Sequence, residues 1–240
     1  MSIIVKNTTF PSLLDLLAPH SCRGCGCLGE PLCSRCKNYI QTQHRHICPN
    51  CKNPVPAPKD NPHTPVRCPN CPNLPPIYAL GAKNTLLGTL ISDYKYHSIR
   101  PLGRTFAELL DTILPDFNTP VIIVPLPTAT HHIRARGIDH TRLIARHLAH
   151  IRHYSTLELL IRAKNTVQVG SDKQTRLTQA SHAYSINPTI KINREATYLL
   201  LDDIWTTGAS IRAAINLLEH QTNISLNHTA VALLAITEPH

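Results

Sequence analysis

The sequence predicts an α/β protein: a parallel sheet flanked by helices, preceded by a small cysteine-rich module. Two observations predict it. All nine cysteines fall between Cys22 and Cys71, where the stretch from Pro49 to Pro76 is also dense in Pro and Asn. From Ile77 onward cysteine disappears, and short apolar runs alternate with amphipathic stretches. That alternation suits strands buried on both faces and the helices that cover them. The boundary is therefore placed at 76/77, with an N-terminal helix and a metal module over 1–76 and the α/β domain over 77–240.

The module comes first. A Pro-rich segment forms neither helices nor central strands, so something other than an apolar core must hold it. Four Cys-x-x-Cys pairs supply the means: Cys22/Cys25, Cys33/Cys36, Cys48/Cys51 and Cys68/Cys71. Each pair turns two thiolates toward one tetrahedral ion, so four pairs make two four-thiolate zinc sites. A redox motif would be one pair beside a βαβ unit. Pairing of neighbours, 22/25 with 33/36 and 48/51 with 68/71, is preferred because each half closes a short loop; a cross-braced arrangement is the alternative. Cys27 is the odd cysteine, a free thiol near the first site that could exchange with Cys25. A full thiolate shell leaves no position for substrate, so both zinc ions are expected to be structural.

In the second part, Thr85–Tyr96 and Leu102–Leu114 read as helices, with Pro101 in a first-turn position and Pro115 as a stop. Val121–Val124 is a short buried strand ended by Pro125-Leu126-Pro127. Ile138–Ile151 carries apolar residues at 144, 148 and 151, one helical face. Tyr198–Leu201 is a second buried strand, followed by a loop and a helix from Ala209 to His220, and Val231–Ile236 is a last strand. With 42% hydrophobic residues, 240 residues are enough to build a core, though aromatics are only 5% and most burial must be aliphatic. The formal charge of +9 favours polyanionic partners. The longest apolar runs are too short for a bilayer, and Met1–Leu17, with Lys6 and Asp15, lacks the features of a leader. The expectation is a cytoplasmic protein, whose paired cysteines then point to metal rather than disulfides.

Most of the chemistry sits in Tyr198-Leu-Leu-Leu-Asp-Asp-Ile-Trp-Thr-Thr-Gly-Ala-Ser210. A buried strand ends in Asp202 and Asp203, and a short loop leads through Gly208 into a helix. Helix-opening amides and a partial positive charge suit a phosphate. Gly208 permits close backbone approach, and the hydroxyls of Thr206, Thr207 and Ser210 add donors. Two carboxylates at the carboxyl end of a strand can accept from the two hydroxyls of a ribose. The bland alternative is a strand terminus and a helix cap. In this segment the chain resembles the phosphoribosyltransferases, whose signature is an apolar strand, two acids, then Thr-Thr-Gly and a small hydroxyl residue. The resemblance implies a phosphoribosyltransferase-type fold. It also implies that Asp202 and Asp203 contact the ribose of phosphoribosyl pyrophosphate (PRPP), that Thr206, Thr207, Gly208, Ala209 and Ser210 wrap its 5-phosphate, and that Mg²⁺ accompanies the pyrophosphate.

A second resemblance covers nearly the whole chain. Cysteine pairs are followed by Tyr94-Lys-Tyr-His97, Val124-Pro-Leu-Pro127, Arg134-Ala-Arg-Gly137, Leu160-Ile-Arg-Ala-Lys-Asn-Thr166 and the phosphate loop. This order is similar to the ComF family of competence proteins. It implies handling of incoming single-stranded DNA at the cytoplasmic side of the inner membrane, with DNA-uptake proteins there as partners. It also implies a pyrophosphate side at Val124–Pro127, with Lys95 and Arg136 as anion contacts. The chain departs from the family at Ile138-Asp139-His140, where an aromatic then Asn-Gln is usual, and at Arg176 and Gln179, where Arg is usually followed by Asn three residues on. The segment His131–His153 holds Arg134, Arg136, Arg142, Arg146 and Arg152 with six histidines against Asp139 alone. It reads either as a solvated helix flank or as a basic track for single-stranded DNA, in which aromatic partners are scarce. His131-His132 reads as a surface pair, and Trp205 as a packing anchor. The expected function is a PRPP-binding competence protein. An active phosphoribosyltransferase in nucleotide salvage or synthesis is the alternative, for which no catalytic base is identifiable. A zinc-ribbon nucleic-acid protein with an α/β scaffold would not need Asp202 beside Asp203.

Overall fold

The computed structural model describes residues 20–42, 47–55, 67–162 and 183–237. The expected N-terminal helix, residues 163–166 of the Leu160–Thr166 motif, Arg176 and Gln179 lie outside the described residues.

Five strands form a parallel sheet: β3 (Ile77–Ala79), β4 (Val121–Pro125), β5 (Ser155–Thr156), β8 (Thr197–Trp205) and β9 (Thr229–Ile236). Their order is β3-β9-β8-β4-β5, so β8, the longest, lies in the middle. Two small antiparallel pairs stand outside it, β1 (His20–Ser21) with β2 (Leu28–Gly29) and β6 (Leu160–Arg162) with β7 (Tyr184–Ile186). The helices are α1 (Ser34–Thr42), α2 (Leu86–Tyr96), α3 (Leu102–Ile113), α4 (Thr130–Arg136), α5 (His140–Arg152) and α6 (Ala209–Thr222). An α/β architecture with a parallel sheet flanked by helices is thus what the chain adopts. Among the described residues no helix is long and apolar enough to cross a membrane.

Side chains alternate across β8 and sort the core into two layers. Leu199 and Leu201 pack with α2, α3 and α5 through Leu90, Phe106 and Leu148. Tyr198 and Leu200 pack with α6 through Ile211, Ala214 and Leu218. The cysteine regions join these layers on opposite faces: Cys22, Leu32 and Cys36 belong to the three-helix face, and Cys48, Cys68 and Cys71 to the α6 face.

The helix boundaries follow their caps. Thr85 accepts from the Leu87 amide at 3.3 Å and opens α2. Arg152 closes α3: its guanidinium donates to the carbonyls of Asp111, Leu114 and Pro115 at 2.7 to 2.8 Å and to Asp111 Oδ1 at 2.5 Å. A cation placed on the open carbonyls of a helix end is favourable.

Two expectations need correction. The helix expected from Ile138 starts at His140, because the Asp139 side chain accepts from the Arg142 amide at 3.3 Å and caps it. Residues 130–136 form the separate helix α4, ended by Gly137 in a left-handed conformation (φ 73°). The strand expected over Tyr198–Leu201 runs on to Trp205, because β9 continues to pair with it at Asp202↔Leu233, Ile204↔Ala235 and Trp205↔Ile236. The acids therefore lie inside the strand, and the loop shrinks to Thr206-Thr207-Gly208.

Candidate functional site: a strand-edge acid pair beside a glycine turn

On its other flank β8 loses its partner earlier. The β4 pairing ends at Pro125↔Leu201, so Asp202 and Asp203 stand just past the carboxyl end of β4, where among the described residues no strand pairs with that side of β8. Successive residues face opposite sides, and the two acids differ accordingly. Asp203, on the side of the three-helix layer, forms an ion pair with Lys95 in the last turn of α2. Asp202 faces the other way, toward Tyr184 and Arg162. Burial raises the Asp202 carboxyl to about 7, and the neighbouring Asp203 charge adds to the effect; the Asp203 amide, Lys95 and Arg162 pull against it. A ligand lying across the strand end, rather than on one face, meets both acids.

Beyond the acids the chain turns at Gly208 (φ 76°) and enters α6. A methyl at Gly208 would stand 2.2 Å from the Trp205 ring, so both conformation and space demand glycine. Trp205 itself is buried at 2% exposure and forms the floor of the turn. Thr206, Thr207, Ala209 and Ser210 are exposed. Gly208 provides no side-chain cap, and in the first turn of α6 the Ala209 amide reaches Thr207 Oγ1 at 3.4 Å. Exposed hydroxyl residues and the opening of a helix thus stand just after the acid pair in the chain, residue types suited to an oxyanion.

Cations gather around this edge. His132 lies within electrostatic reach of His131, Arg136, Arg162 and Lys95, and burial followed by these charges lowers its pKa. Arg136 stacks 5.0 Å from the ring centroid of Tyr96, which is 67% exposed. Lys95 and Arg136, the two expected anion contacts, both act on His132, and Lys95 is paired with Asp203. Arg162 was missed by sequence reasoning as a site residue. It donates to the Pro127 carbonyl at 3.3 Å and stands over Tyr184, and its only sequence signal was its place in the Leu160–Thr166 motif. The basic segment divides. Arg134 and Arg146 are exposed, Arg142 is paired with Glu158 at 2.5 Å, and Arg152 is consumed in capping α3. His140 is buried against Tyr94: its Nε2 lies 2.7 Å from the Tyr94 carbonyl, and the Tyr94 hydroxyl donates to the His140 carbonyl at 3.0 Å. That position locks α2 to α5.

Two groups of four cysteines lie close enough to bind structural zinc, each with all four sulfurs within 4.8 Å of one another. Zn–S bonds of about 2.3 Å in a tetrahedron put sulfurs about 3.8 Å apart. The contacts Cys48–Cys71 at 3.8 Å, Cys51–Cys68 at 3.5 Å and Cys25–Cys33 at 3.6 Å fit that spacing. The second group is the expected Cys48, Cys51, Cys68 and Cys71.

In the first group Cys22, Cys25, Cys27 and Cys33 lie within 4.8 Å of one another, so Cys27 joins the expected cysteines as a possible ligand. Gly26 in a left-handed conformation (φ 78°) and the Cys22 amide donating to the Cys27 carbonyl at 2.7 Å fold Cys27 back to 3.5 Å from Cys25. Cys36, on the first turn of α1, is drawn into the apolar layer, and a methyl at Gly24 would meet its sulfur at 2.6 Å. It still reaches Cys22, Cys33 and Cys25, so five thiols surround this site; burial, then these neighbours, push the Cys36 thiol up. Backbone amides help in the other direction: although burial opposes it, donors from Cys33, Cys25 and Gly24 bring Cys22 down to about 6. The Asn53 amide leads in bringing Cys51 down to about 7.

No protein-family model matches the chain, and a search of curated proteins finds no match.

Proposed function

We propose that this chain is a PRPP-binding, phosphoribosyltransferase-like protein of the ComF type that assists the handling of single-stranded DNA in natural transformation. The observation that carries the proposal is the joining of Asp202 and Asp203, past the end of the β4 pairing, to a glycine turn flanked by the exposed residues Thr206, Thr207, Ala209 and Ser210. In this reading Asp202 and Asp203 accept from the ribose hydroxyls, and Thr206, Thr207, Gly208, Ala209 and Ser210 hold the 5-phosphate. Mg²⁺ would accompany the pyrophosphate and offset its charge, as suits a hard cation with oxygen ligands. Lys95, Arg136 and Arg162 balance the remaining anionic charge. Arg134, Arg136 and Arg146 offer an electrostatic path for a DNA backbone, with Arg142 joining where its pairing to Glu158 is exchanged for phosphate. DNA-uptake proteins at the cytoplasmic side of the inner membrane are the partners this reading entails, and the two zinc ions are structural.

A working phosphoribosyltransferase is the second reading. Asp202 favours it, since a carboxyl raised to about 7 suits proton exchange with an acceptor. Deletion of the gene separates the two. Loss of transformation with growth unchanged in medium free of nucleobases is the expected result; a nucleobase requirement with normal transformation would replace the first reading by the second.

A further inference from the structure

The second cysteine group is wired to the glycine turn by two polar struts. Asn50, inside the Cys48–Cys51 knuckle, donates from Nδ2 to Cys71 Sγ at 3.1 Å. Its Oδ1 accepts from Arg212 Nη2 at 2.5 Å. Arg212, in the first turn of α6, holds its guanidinium 5.2 Å from the Trp205 ring centroid. Its Nη1 is buried without a hydrogen-bond partner among the described residues, so Asn50 and the indole face are what hold this cation. The second strut starts just past the same knuckle. Lys52, turned by a positive φ of 63°, donates from Nζ to the Thr237 carbonyl at 2.8 Å. The Thr237 amide in turn donates to the Trp205 carbonyl at 2.9 Å. One strut ends on the Trp205 ring and the other on its backbone, and that ring is the floor beneath Gly208.

We propose that the Cys48–Lys52 knuckle positions the Thr206–Ser210 turn. Zinc held by Cys48, Cys51, Cys68 and Cys71 fixes Asn50 and Lys52; these fix Arg212, Thr237 and Trp205; and Trp205 sets the Gly208 turn. Asn50 and Arg212 are positioning residues in this scheme, since they act through Cys71 and Trp205. The proposal rests on zinc at the second group. Its consequence for ligand affinity rests on the ribose-phosphate reading above. Coupling is reciprocal, so the turn side must also stabilise the metal.

The test uses the full chain loaded with zinc and two readouts: zinc transfer to a chromophoric chelator, and emission from Trp205, the only tryptophan in the chain. Groups that hold metal ligands in place change metal affinity by about 10- to 100-fold. Asn50→Ala and Arg212→Ala are each expected to speed release of one zinc population by about 10-fold or more. The double variant should be no faster than the faster single one, because the two residues act in series. Trp205 emission should shift in step with that population. Should Asn50→Ala fail to fold, Asn50→Asp keeps the size and the acceptor for Arg212 while removing the donor to Cys71, and the same acceleration is expected. Wild-type release rates in Arg212→Ala, multiplying effects in the double variant, or emission indifferent to zinc loss would each overturn the proposal. None of these readouts uses PRPP, so failure of PRPP to bind would sink the functional reading and leave this one standing.

Discussion

Asp202 departs strongly from the ordinary behaviour of a carboxyl. Its carboxyl is raised from 3.8 to about 7, mainly because β8 buries it and then because Asp203 follows it directly. An acid raised on folding contributes stability that is fully present below the unfolded value and lost as pH rises through the folded value. The melting temperature should therefore fall between about pH 4 and pH 7, by a free energy on the order of a few kcal/mol, and this slope should vanish in Asp202→Asn. A wild-type melting temperature flat across that window would show that Asp202 ionises freely. The presence of two acids before Thr-Thr-Gly could be read from the sequence. Their orientation toward different partners, Lys95 for one and Arg162 with Tyr184 for the other, could not, because those partners lie 108 and 40 residues away in the chain for Asp203–Lys95 and Asp202–Arg162 respectively. Gly208 is similar: its need for close approach was legible and Trp205 was readable as a packing anchor, whereas the contact of that ring with Gly208 was not.

At the scale of elements, strong patterns were reliable and short pieces were not. The apolar runs at 121–124, 198–201 and 231–236 are all strands of the central sheet, since residues buried on both faces leave an unbroken apolar signal. β3 and β5 are three and two residues long, too short to carry one, and the β6/β7 pair joins segments separated by a stretch outside the described residues. The basic segment around α4 and α5 misled more. Its arginines look equivalent in sequence, yet Arg152 closes α3 while Arg134 is exposed. Their substitutions should differ in kind. Arg134→Ala with Arg136→Ala should weaken single-stranded DNA binding and reduce the log–log salt slope by about 1 to 2. Arg152→Ala should leave that slope unchanged and lower the melting temperature, as it strips the cap from α3. Filter binding over a salt series reads the first effect and thermal unfolding the second; equal slopes in all variants would remove α4 from any DNA path.

For the whole molecule, the cysteine-rich segment and the α/β domain were distinguishable by composition alone, but their arrangement was not. Sequence order suggests a module set in front of a domain. In the folded chain the two cysteine groups sit on opposite faces of one sheet and contribute to its two apolar layers. Pairing of neighbouring cysteines was readable from loop length. The approach of Cys27 to the first group was not, because it depends on the backbone reversal at Gly26. The second group, through Asn50 and Lys52, braces the floor of the glycine turn, so the parts that sequence separates meet at the strand edge. In the proposed reading, this edge is a cradle for a sugar phosphate. Calorimetric titration of PRPP with Mg²⁺ into the wild-type chain should give saturable binding at one site, and the Asp202→Asn/Asp203→Asn variant, still folded, should give none. Absence of heat with the wild type, or undiminished binding by the variant, would contradict it.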